Sequence, residues 1–229
     1  MKPYRHELKY YISLGEYELL SRKLSLTMAR DENAQSKFGG KYFIRSLYFD
    51  GYDDGAIQQK LDGVDDREKF RIRIYNLSDR AIKLECKHKE GQYIQKESIP
   101  LSRPECDAIV QGKFGVLLRR REAFAKRLYV DFRTRNLKPR VLVDYWREAY
   151  VFPQEDVRVT FDSDIRTAFR ATDLFNPHLP TFPVIEGYGM VLEIKFNAYL
   201  PSYIRTLVQP TEAQRSAVSK YVLCRKYEF

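Results

Sequence analysis

The sequence predicts a mainly antiparallel α+β fold, in which helices pack on the outer side of a sheet. Most of the chain divides into strand-length segments that alternate apolar and polar residues. The 17 Tyr and 14 Phe also favour strands, because aromatic side chains suit a half-buried pleated surface. Helix-start signals occur only between these segments. Since no repeat or Pro/Gly/Ser-rich linker interrupts the 229 residues, we expect residues 1–229 to form a single domain.

The first part of the chain predicts a strand, a helix and a second strand. Residues 4–12 have strand character, and Ser13 with Glu16 forms a capping box that starts a helix reaching about Met28. Residues 42–50 are rich in β-branched and aromatic side chains, which predicts the next strand.

The middle of the chain predicts three consecutive antiparallel strands. They cover residues 67–75, 81–89 and 93–100, with turns at 76–79 and 90–92.

The remainder predicts further helices and strands. Ser102 and Glu105 form a second capping box, followed by helical sequence with breaks to about Arg133. Thr211 with Gln214 would cap a last helix that ends near Cys224. The further strands are expected at residues 141–150, 157–167 and 190–196.

The chain carries a strong excess of positive charge. Lys and Arg number 40 against 31 Asp and Glu, which gives a formal net charge of +9. Such an excess is typical of proteins that bind nucleic acid, acidic membranes or phosphate ligands, and also of basic surfaces without a partner. Composition does not separate these classes, whereas the positions of the charges do.

Charged residues repeatedly share one face of a predicted strand. Lys69, Arg71 and Arg73 alternate with apolar residues, and a solvated face would explain any one such strand. The other charged faces are Arg5, Glu7 and Lys9; Lys83, Glu85 and Lys87; Arg158, Thr160, Asp162 and Asp164; and Glu193 and Lys195.

Taken together, these faces predict a barrel with a charged interior. Helices must cover the apolar faces, so the charged faces would enclose a ligand that offsets the cost of burying them. Arg and Lys suit phosphate oxygens, and carboxylates suit a divalent metal that bridges them.

The cysteines and the amino terminus predict a cytoplasmic protein. Cys86, Cys106 and Cys224 are odd in number and have no metal-ligand spacing, which is typical of reduced thiols. No apolar signal core or run of about 18 apolar residues is present, so we expect no transmembrane segment.

In these motifs the chain resembles the VTC-type polyphosphate polymerase domain, a branch of the CYTH-like triphosphate tunnel metalloenzyme superfamily. The motifs follow one another along nearly the whole sequence, which makes the set specific. They are residues 5–10, 46–50, 60–63, 67–75, 84–87, 145–150, 158–162, 192–195 and 219–221.

The resemblance implies a closed β-barrel tunnel of about eight strands that binds triphosphate or polyphosphate with a divalent metal, Mn²⁺ or Mg²⁺. The polymerase branch moves the terminal phosphate of ATP onto a growing polyphosphate chain, and other branches hydrolyse triphosphates. Polymerase-branch relatives also work with a membrane partner.

The resemblance also implies roles for residues of this chain. The expected catalytic set is Arg71, Arg73, Lys87, Arg147 and Lys195. The expected substrate-binding set is Arg5, Lys9, Lys69, Arg158 and Lys220. The expected metal ligands are Glu193, Glu7 and Glu85. Two plainer readings stay open: Glu193 as a cross-strand partner of a Lys, and Lys220 as a residue favoured near a helix C-terminus.

One position departs from the hydrolase pattern. CYTH hydrolases begin with Glu-x-Glu-x-Lys, whereas this chain has Arg5-x-Glu7-x-Lys9. An Arg in place of the first carboxylate removes a metal ligand and adds a phosphate contact, which favours the polymerase-like branch.

Three functional classes therefore remain. A polyphosphate-synthesising enzyme comes first, a non-catalytic polyphosphate-binding module second and a nucleic-acid-binding protein third. The Glu residues interleaved with the basic ones disfavour nucleic acid, because carboxylates repel its backbone. Sequence gives no oligomeric state.

Overall fold

The computed structural model describes residues 5–34, 38–91, 93–185, 189–210 and 216–226, and it confirms a mainly antiparallel sheet with helices. The strands are β1 (His6–Ile12), β2 (Ala29–Arg30), β3 (Lys41–Asp50), β4 (Arg67–Tyr75), β5 (Ser78–Glu90), β6 (Tyr93–Leu101), β7 (Lys138–Phe152), β8 (Val157–Phe169), β9 (Phe182–Pro183) and β10 (Met190–Phe196). The helices are α1 (Leu14–Thr27), α2 (Gly55–Leu61), α3 (Arg103–Val110), α4 (Ala123–Thr134), α5 (Ser202–Val208) and α6 (Lys220–Arg225). Short 3₁₀-helices lie at Phe114–Arg119 and Gln154–Asp156.

The chain forms two compact units, and each combines segments that are distant in sequence. The first unit draws on the segments Met1–Phe43, Asp144–Arg166 and Pro183–Lys220. The second draws on Ile44–Val143, Thr167–Phe182 and Tyr221–Phe229.

In the first unit the strand order is β1-β10-β8-β7, and helices cover the apolar face. The capping box at the start of α1 is confirmed, since the Glu16 amide donates to Ser13 Oγ at 3.2 Å and the Ser13 amide to Glu16 at 3.3 Å. Leu20 and Leu24 of α1 and Ile204 of α5 join one buried core with apolar residues of the strands. The strand residues of this core are Ile12, Tyr150, Val157, Val159, Phe161, Met190, Leu192 and Ile194.

In the second unit the order is β7-β3-β4-β5-β6, with α3, the Phe114–Arg119 helix and α4 packed on one face. The β4–β5 hairpin turns at Asn76 and Leu77, where φ is 50° and 54°. The ring of Phe132 from α4 lies 5.0 Å from Phe49 and 5.7 Å from Phe70 of the sheet. Helices therefore cover the apolar strand faces in both units, as the alternation predicts.

Barrel closure is not confirmed. Within the described residues, the outermost strands β1 and β6 each pair with one neighbouring strand, β10 and β5 respectively. The closed tunnel and the single domain stay predictions.

The last predicted helix is wrong in its extent. Its proposed cap at 211–215 lies outside the described residues, but residues 216–219 are not helical and α6 begins only at Lys220. No sequence signal marks α2 and α5, because neither helix has a side-chain cap at its start. Within the described part of the chain, no helix combines the length and apolar character that crossing a bilayer requires.

Candidate functional site

Each unit presents a charged strand face on the side opposite its helix-covered core. In antiparallel strands, directly paired residues point to the same side, so the register defines both faces. The first charged face consists of Glu7, Lys9, Arg147, Arg158, Thr160, Asp162, Glu193 and Lys195, with Lys220 from the start of α6. The second charged face consists of Ser46, Tyr48, Lys69, Arg71, Arg73, Glu85, Lys87 and Lys96.

Two carboxylates and two ammonium groups alternate at the centre of the first charged face. In the register, Glu7 lies opposite Lys195 and Lys9 lies opposite Glu193. Lys9 Nζ lies 3.5 Å from Glu7 and 3.4 Å from Glu193. Lys195 contacts Glu193 and lies 4.0 Å from Glu7. Each ammonium therefore bridges both carboxylates.

Glu193 is ionised despite its burial. Its side chain is only 6% exposed, and burial by itself would raise the pKa of a carboxyl group. The ammonium groups of Lys195 and Lys9 outweigh that effect and hold the pKa of Glu193 well below its usual range. Glu193 therefore presents a full negative charge to a cation at neutral pH.

Arg147, Asp162 and Lys220 form a second ionic cluster on this face. The Arg147 guanidinium donates two hydrogen bonds to Asp162, at 2.6 and 2.7 Å, and Lys220 Nζ lies 2.5 Å from the same carboxylate. Burial alone would raise the pKa of Asp162, but the two cations lower it to about 2. The Tyr145 ring supports both cations, 5.3 Å from Arg147 and 4.9 Å from Lys220.

This geometry excludes one plain explanation of Lys220. The residue begins α6, so the favourable dipole at a helix C-terminus does not explain its position. Its ammonium instead shares Asp162 with Arg147, which positions two cations side by side.

Thr160 adds a buried hydroxyl between the two clusters. It pairs with Glu193 in the register and lies two residues from Asp162 on the same strand. Its exposure is 0%, and within the described residues its Oγ1 has no hydrogen-bond partner. A buried hydroxyl without a partner costs free energy, so Thr160 is a point of unfavourable polarity between the two clusters.

On the second charged face, Glu85 is surrounded by cations. It lies 2.7 Å from Arg71 and 3.9 Å from Arg73, and it also contacts Lys96. Burial opposes ionisation of Glu85, but the three cations outweigh it and bring its pKa far below the usual range. Tyr48 accepts a hydrogen bond of 2.8 Å from Arg71, which fixes the guanidinium further.

A row of three lysines crosses the second charged face. Lys69 of β4 lies directly opposite Lys87 of β5, and Lys87 lies directly opposite Lys96 of β6. Like charges that face each other across neighbouring strands destabilise a sheet. The row concentrates positive charge along one line of the sheet, although Glu85 pairs with Lys96, and it suits an extended anion that lies across it.

Arg158 and Arg5, the two remaining basic candidates, differ in their surroundings. Arg158 shares the first charged face through its pairing with Lys195, and it lies 2.8 Å from Asp31. Arg5 pairs with Asp156 in an exposed position, where both side chains are about half accessible to solvent, at 47% and 58%. A role for Arg5 in substrate binding stays a prediction that this pairing does not support.

The carboxylates differ in their suitability for a metal ion. Mg²⁺ is commonly held by one or two carboxylates together with substrate phosphates, and the Glu7–Glu193 pair offers that donor set. The described residues contain no group of three or more His, Cys, Asp or Glu suited to a metal, so a closed protein cage is not the arrangement here. Glu85 has Arg71, Arg73 and Lys96 around it, and its role as a metal ligand stays a prediction.

A cavity of about 770 Å³ lies in the second unit among residues of its helix-covered side. Its charged lining is largely paired within itself: His88 lies 2.6 Å from Asp66, and Arg135 lies 2.6 Å from Glu68. The cavity therefore lacks the excess of cations that distinguishes the charged faces.

Sequence reasoning missed Lys96 and Tyr48 as parts of the site, and it placed Thr160 and Asp162 on a charged strand face without giving them a role. Asp162 and Thr160 follow the alternation of β8, so the signal for them was present. Lys96 belongs to a strand whose polar face reads as ordinary surface, and only the pairing with Lys87 reveals its place.

Solved structures with the same architecture define the class of fold. A putative adenylyl cyclase from Hippeastrum with a dominant triphosphatase activity aligns at 16% identity over 98% of this chain and 96% of its own, with a TM-score of 0.55. A putative adenylate cyclase from Bacillus halodurans aligns at 13% identity over 92% and 95%, with a TM-score of 0.52. A protein from Pyrococcus horikoshii aligns at 14% identity over 96% and 98%, with a TM-score of 0.50. At such identities the likeness shows the fold alone.

The family follows from the sequence itself. Residues 4–229 match the model of the VTC domain, and the chain belongs to the VTC domain family. A search of curated proteins gave no match.

Proposed function

We propose that this protein binds inorganic polyphosphate or a nucleoside triphosphate through its charged strand faces, as a closed-tunnel member of its family would, and transfers the terminal phosphate of ATP to polyphosphate. The observation that carries this proposal is the lysine row of Lys69, Lys87 and Lys96. An extended polyanion neutralises all three side chains at once, whereas an isolated surface ion does not. The VTC domain family and the triphosphatase activity of the Hippeastrum neighbour support a phosphate-chain ligand.

The chemistry needs positioning and charge neutralisation more than a protein nucleophile. Arg71 and Arg73 present planar forks to phosphate oxygens, and Glu85 keeps both side chains in place. Arg147 and Lys220 hold a second point of the chain, with Asp162 between them. Glu193, with Glu7 beside it, would hold a divalent cation, which when bound neutralises charge on the reacting phosphate.

Hydrolysis is the second candidate activity. The Hippeastrum neighbour has a dominant triphosphatase activity, and water in place of a phosphate acceptor would need the same cation set. A third possibility, binding without turnover, uses the charged faces alone. A nucleotide-release and phosphate-release assay with and without Mn²⁺ separates the three outcomes.

Arg71→Ala should weaken polyphosphate binding about 10-fold to 100-fold, with or without metal. The guanidinium makes charge-assisted contacts, each worth about 1.5–3 kcal/mol, and its loss also leaves Glu85 closer to the ligand. Titration calorimetry with a defined polyphosphate at two salt concentrations measures the effect. The exposed Arg80→Ala variant is the matched control and should bind like wild type. Equal affinities for both variants would remove Arg71 from the binding site.

Lys96 should make anion binding depend on pH near 8. Partial burial and the neighbouring Arg73 and Arg71 lower the pKa of its ammonium to about 8 against the opposing effect of Glu85. The charged form is therefore lost as pH rises through 8, and affinity for tripolyphosphate should fall several-fold between pH 7 and pH 9. Lys96→Arg keeps its charge throughout and should flatten this profile. An unchanged slope in Lys96→Arg would show that Lys96 does not face the ligand.

A further inference from the structure

The segment that runs from α3 to the start of β7 carries most of the excess positive charge of the protein. Residues 103–140 contain eleven Lys and Arg against four Asp and Glu, an excess of seven within a net charge of +9. This segment includes α3, the Phe114–Arg119 helix and α4, which lie over the apolar side of the sheet. This excess positive charge therefore lies on residues other than those of the two charged strand faces.

All four acids of this segment are already paired. Asp107 pairs with Arg103 at 3.1 Å, and Asp131 lies 3.5 Å from Arg135. Glu105 and Glu122 both pair with Arg120, at 2.9 and 2.8 Å. Six exposed basic residues of the segment lie outside ion-pair distance of every acid in the described part of the chain; Lys138 belongs to β7, and the other five lie in or beside the helices. These five are Lys113, Arg119, Arg121, Lys126 and Arg133.

The elements that carry the five residues are adjacent. The Phe114–Arg119 helix packs against α4, and Arg121 lies two residues before the start of α4. Lys126, Val130 and Arg133 follow one another at i, i+4 and i+7, so they share the outer side of α4. Leu128 and Phe132 face the core from the opposite side and are fully buried.

Apolar side chains lie within this basic surface. Leu118 is 50% exposed and Val130 is 53% exposed, each adjacent to unpaired cations. Exposed aliphatic groups contribute nothing to a surface that binds only a phosphate backbone. Aliphatic groups surrounded by Arg and Lys are typical of segments that lie in the headgroup region of an anionic membrane.

We propose that this outer surface, defined by Lys113, Leu118, Arg119, Arg121, Lys126, Val130 and Arg133, binds an anionic lipid bilayer. The cations contact lipid headgroups, and Leu118 and Val130 enter the boundary with the acyl chains. The contact is peripheral, and it involves no residue of the charged strand faces. The proposal therefore stands independently of the function proposed for those faces.

Co-sedimentation with vesicles tests the proposal. Wild-type protein should bind vesicles of phosphatidylcholine with about 30% phosphatidylserine and should not bind pure phosphatidylcholine. The variant with Arg119, Arg121, Lys126 and Arg133 all changed to Gln should bind on the order of several hundredfold less, since each cation near such a surface contributes about fivefold. The matched control changes Lys23, Arg80, Arg170 and Arg205 to Gln, which removes the same charge from exposed sites elsewhere and should retain binding.

A second variant separates lipid from other polyanions. Leu118→Ser with Val130→Ser keeps every charge, so it should weaken vesicle binding several-fold but leave binding of duplex DNA and polyphosphate unchanged. Wild-type binding to DNA without binding to vesicles would overturn the proposal in favour of nucleic acid. Equal losses in the two Gln variants would overturn it in favour of a general charge effect. Polyphosphate binding at the strand faces should be normal in all of these variants, which distinguishes failure here from failure of the proposed function.

Discussion

Replacing Glu193 with Gln should reduce metal-dependent turnover on the order of a thousandfold and leave metal-free polyphosphate binding intact or tighter. Glu193 is buried, ionised and 3.4 Å from Lys9, and in the proposed metal site it would supply a charged oxygen ligand. Gln keeps the shape but removes the charge, which weakens metal binding and the neutralisation of the transition state. The ammonium groups of Lys9 and Lys195 lose a competing carboxylate and become more available to phosphate.

Two measurements check this expectation. Titration with Mn²⁺ should show weaker metal binding in Glu193→Gln, and calorimetry with polyphosphate in chelator should show affinity equal to or above wild type. Glu90→Gln changes an exposed carboxylate and should match wild type in both. Full Mn²⁺-dependent turnover in Glu193→Gln, with a loss of binding equal to that of Arg71→Ala, would mean that the metal site is assigned wrongly.

Local patterns predicted the strands and the capped helices of this fold. The capping boxes at Ser13 and Ser102 mark the starts of α1 and α3, because a side chain close in sequence satisfies the exposed amides. The start of α5 has no such side chain, and Pro201 merely precedes it. That helix forms because Ile204 and Val208 enter the core of the first unit, an interaction that only the tertiary structure supplies.

The sequence predicted which kinds of residue form the candidate site, but it did not predict which of them lie next to one another. Alternation placed Glu193 and Lys195 on one strand face, and the register of β1 adds Glu7 and Lys9 to them. Strand order depends on contacts between residues that are distant in sequence. The sequence therefore did not show that Arg147 and Lys220 share Asp162, or that Lys96 lies opposite Lys87 in a row of lysines. In the sequence, each acid interleaved with basic residues has two explanations, as a counter-ion or as a metal ligand. In the structure the acids differ: Glu85 holds Arg71 and Arg73, whereas Glu193 and Glu7 offer oxygen ligands.

Asp162→Asn should lower the free energy of unfolding by about 3–5 kcal/mol. The carboxylate is fully buried and is the shared partner of Arg147 and Lys220, so its neutralisation leaves two buried cations without their main counter-charge. Urea unfolding at pH 7 measures the loss. Asp164→Asn removes an exposed carboxylate two residues further along β8 and should cost less than about 1 kcal/mol.

The same carboxylate should also contribute to acid lability, and the sign follows from its pKa. Since folding lowers the pKa of Asp162 to about 2, its stabilisation is complete above the unfolded-state pKa near 4 and is lost as pH falls through 2. Wild type should therefore lose roughly 2–3 kcal/mol through this group between about pH 5 and pH 1, and Asp162→Asn should lack that component. A further change of Arg147 and Lys220 to Met in the Asp162→Asn background should recover part of the stability, because it removes the unpaired charges. Unfolding curves for Asp162→Asn and Asp164→Asn that coincide at pH 7 would show that the cluster is neutralised by other groups, with Glu193 the nearest candidate.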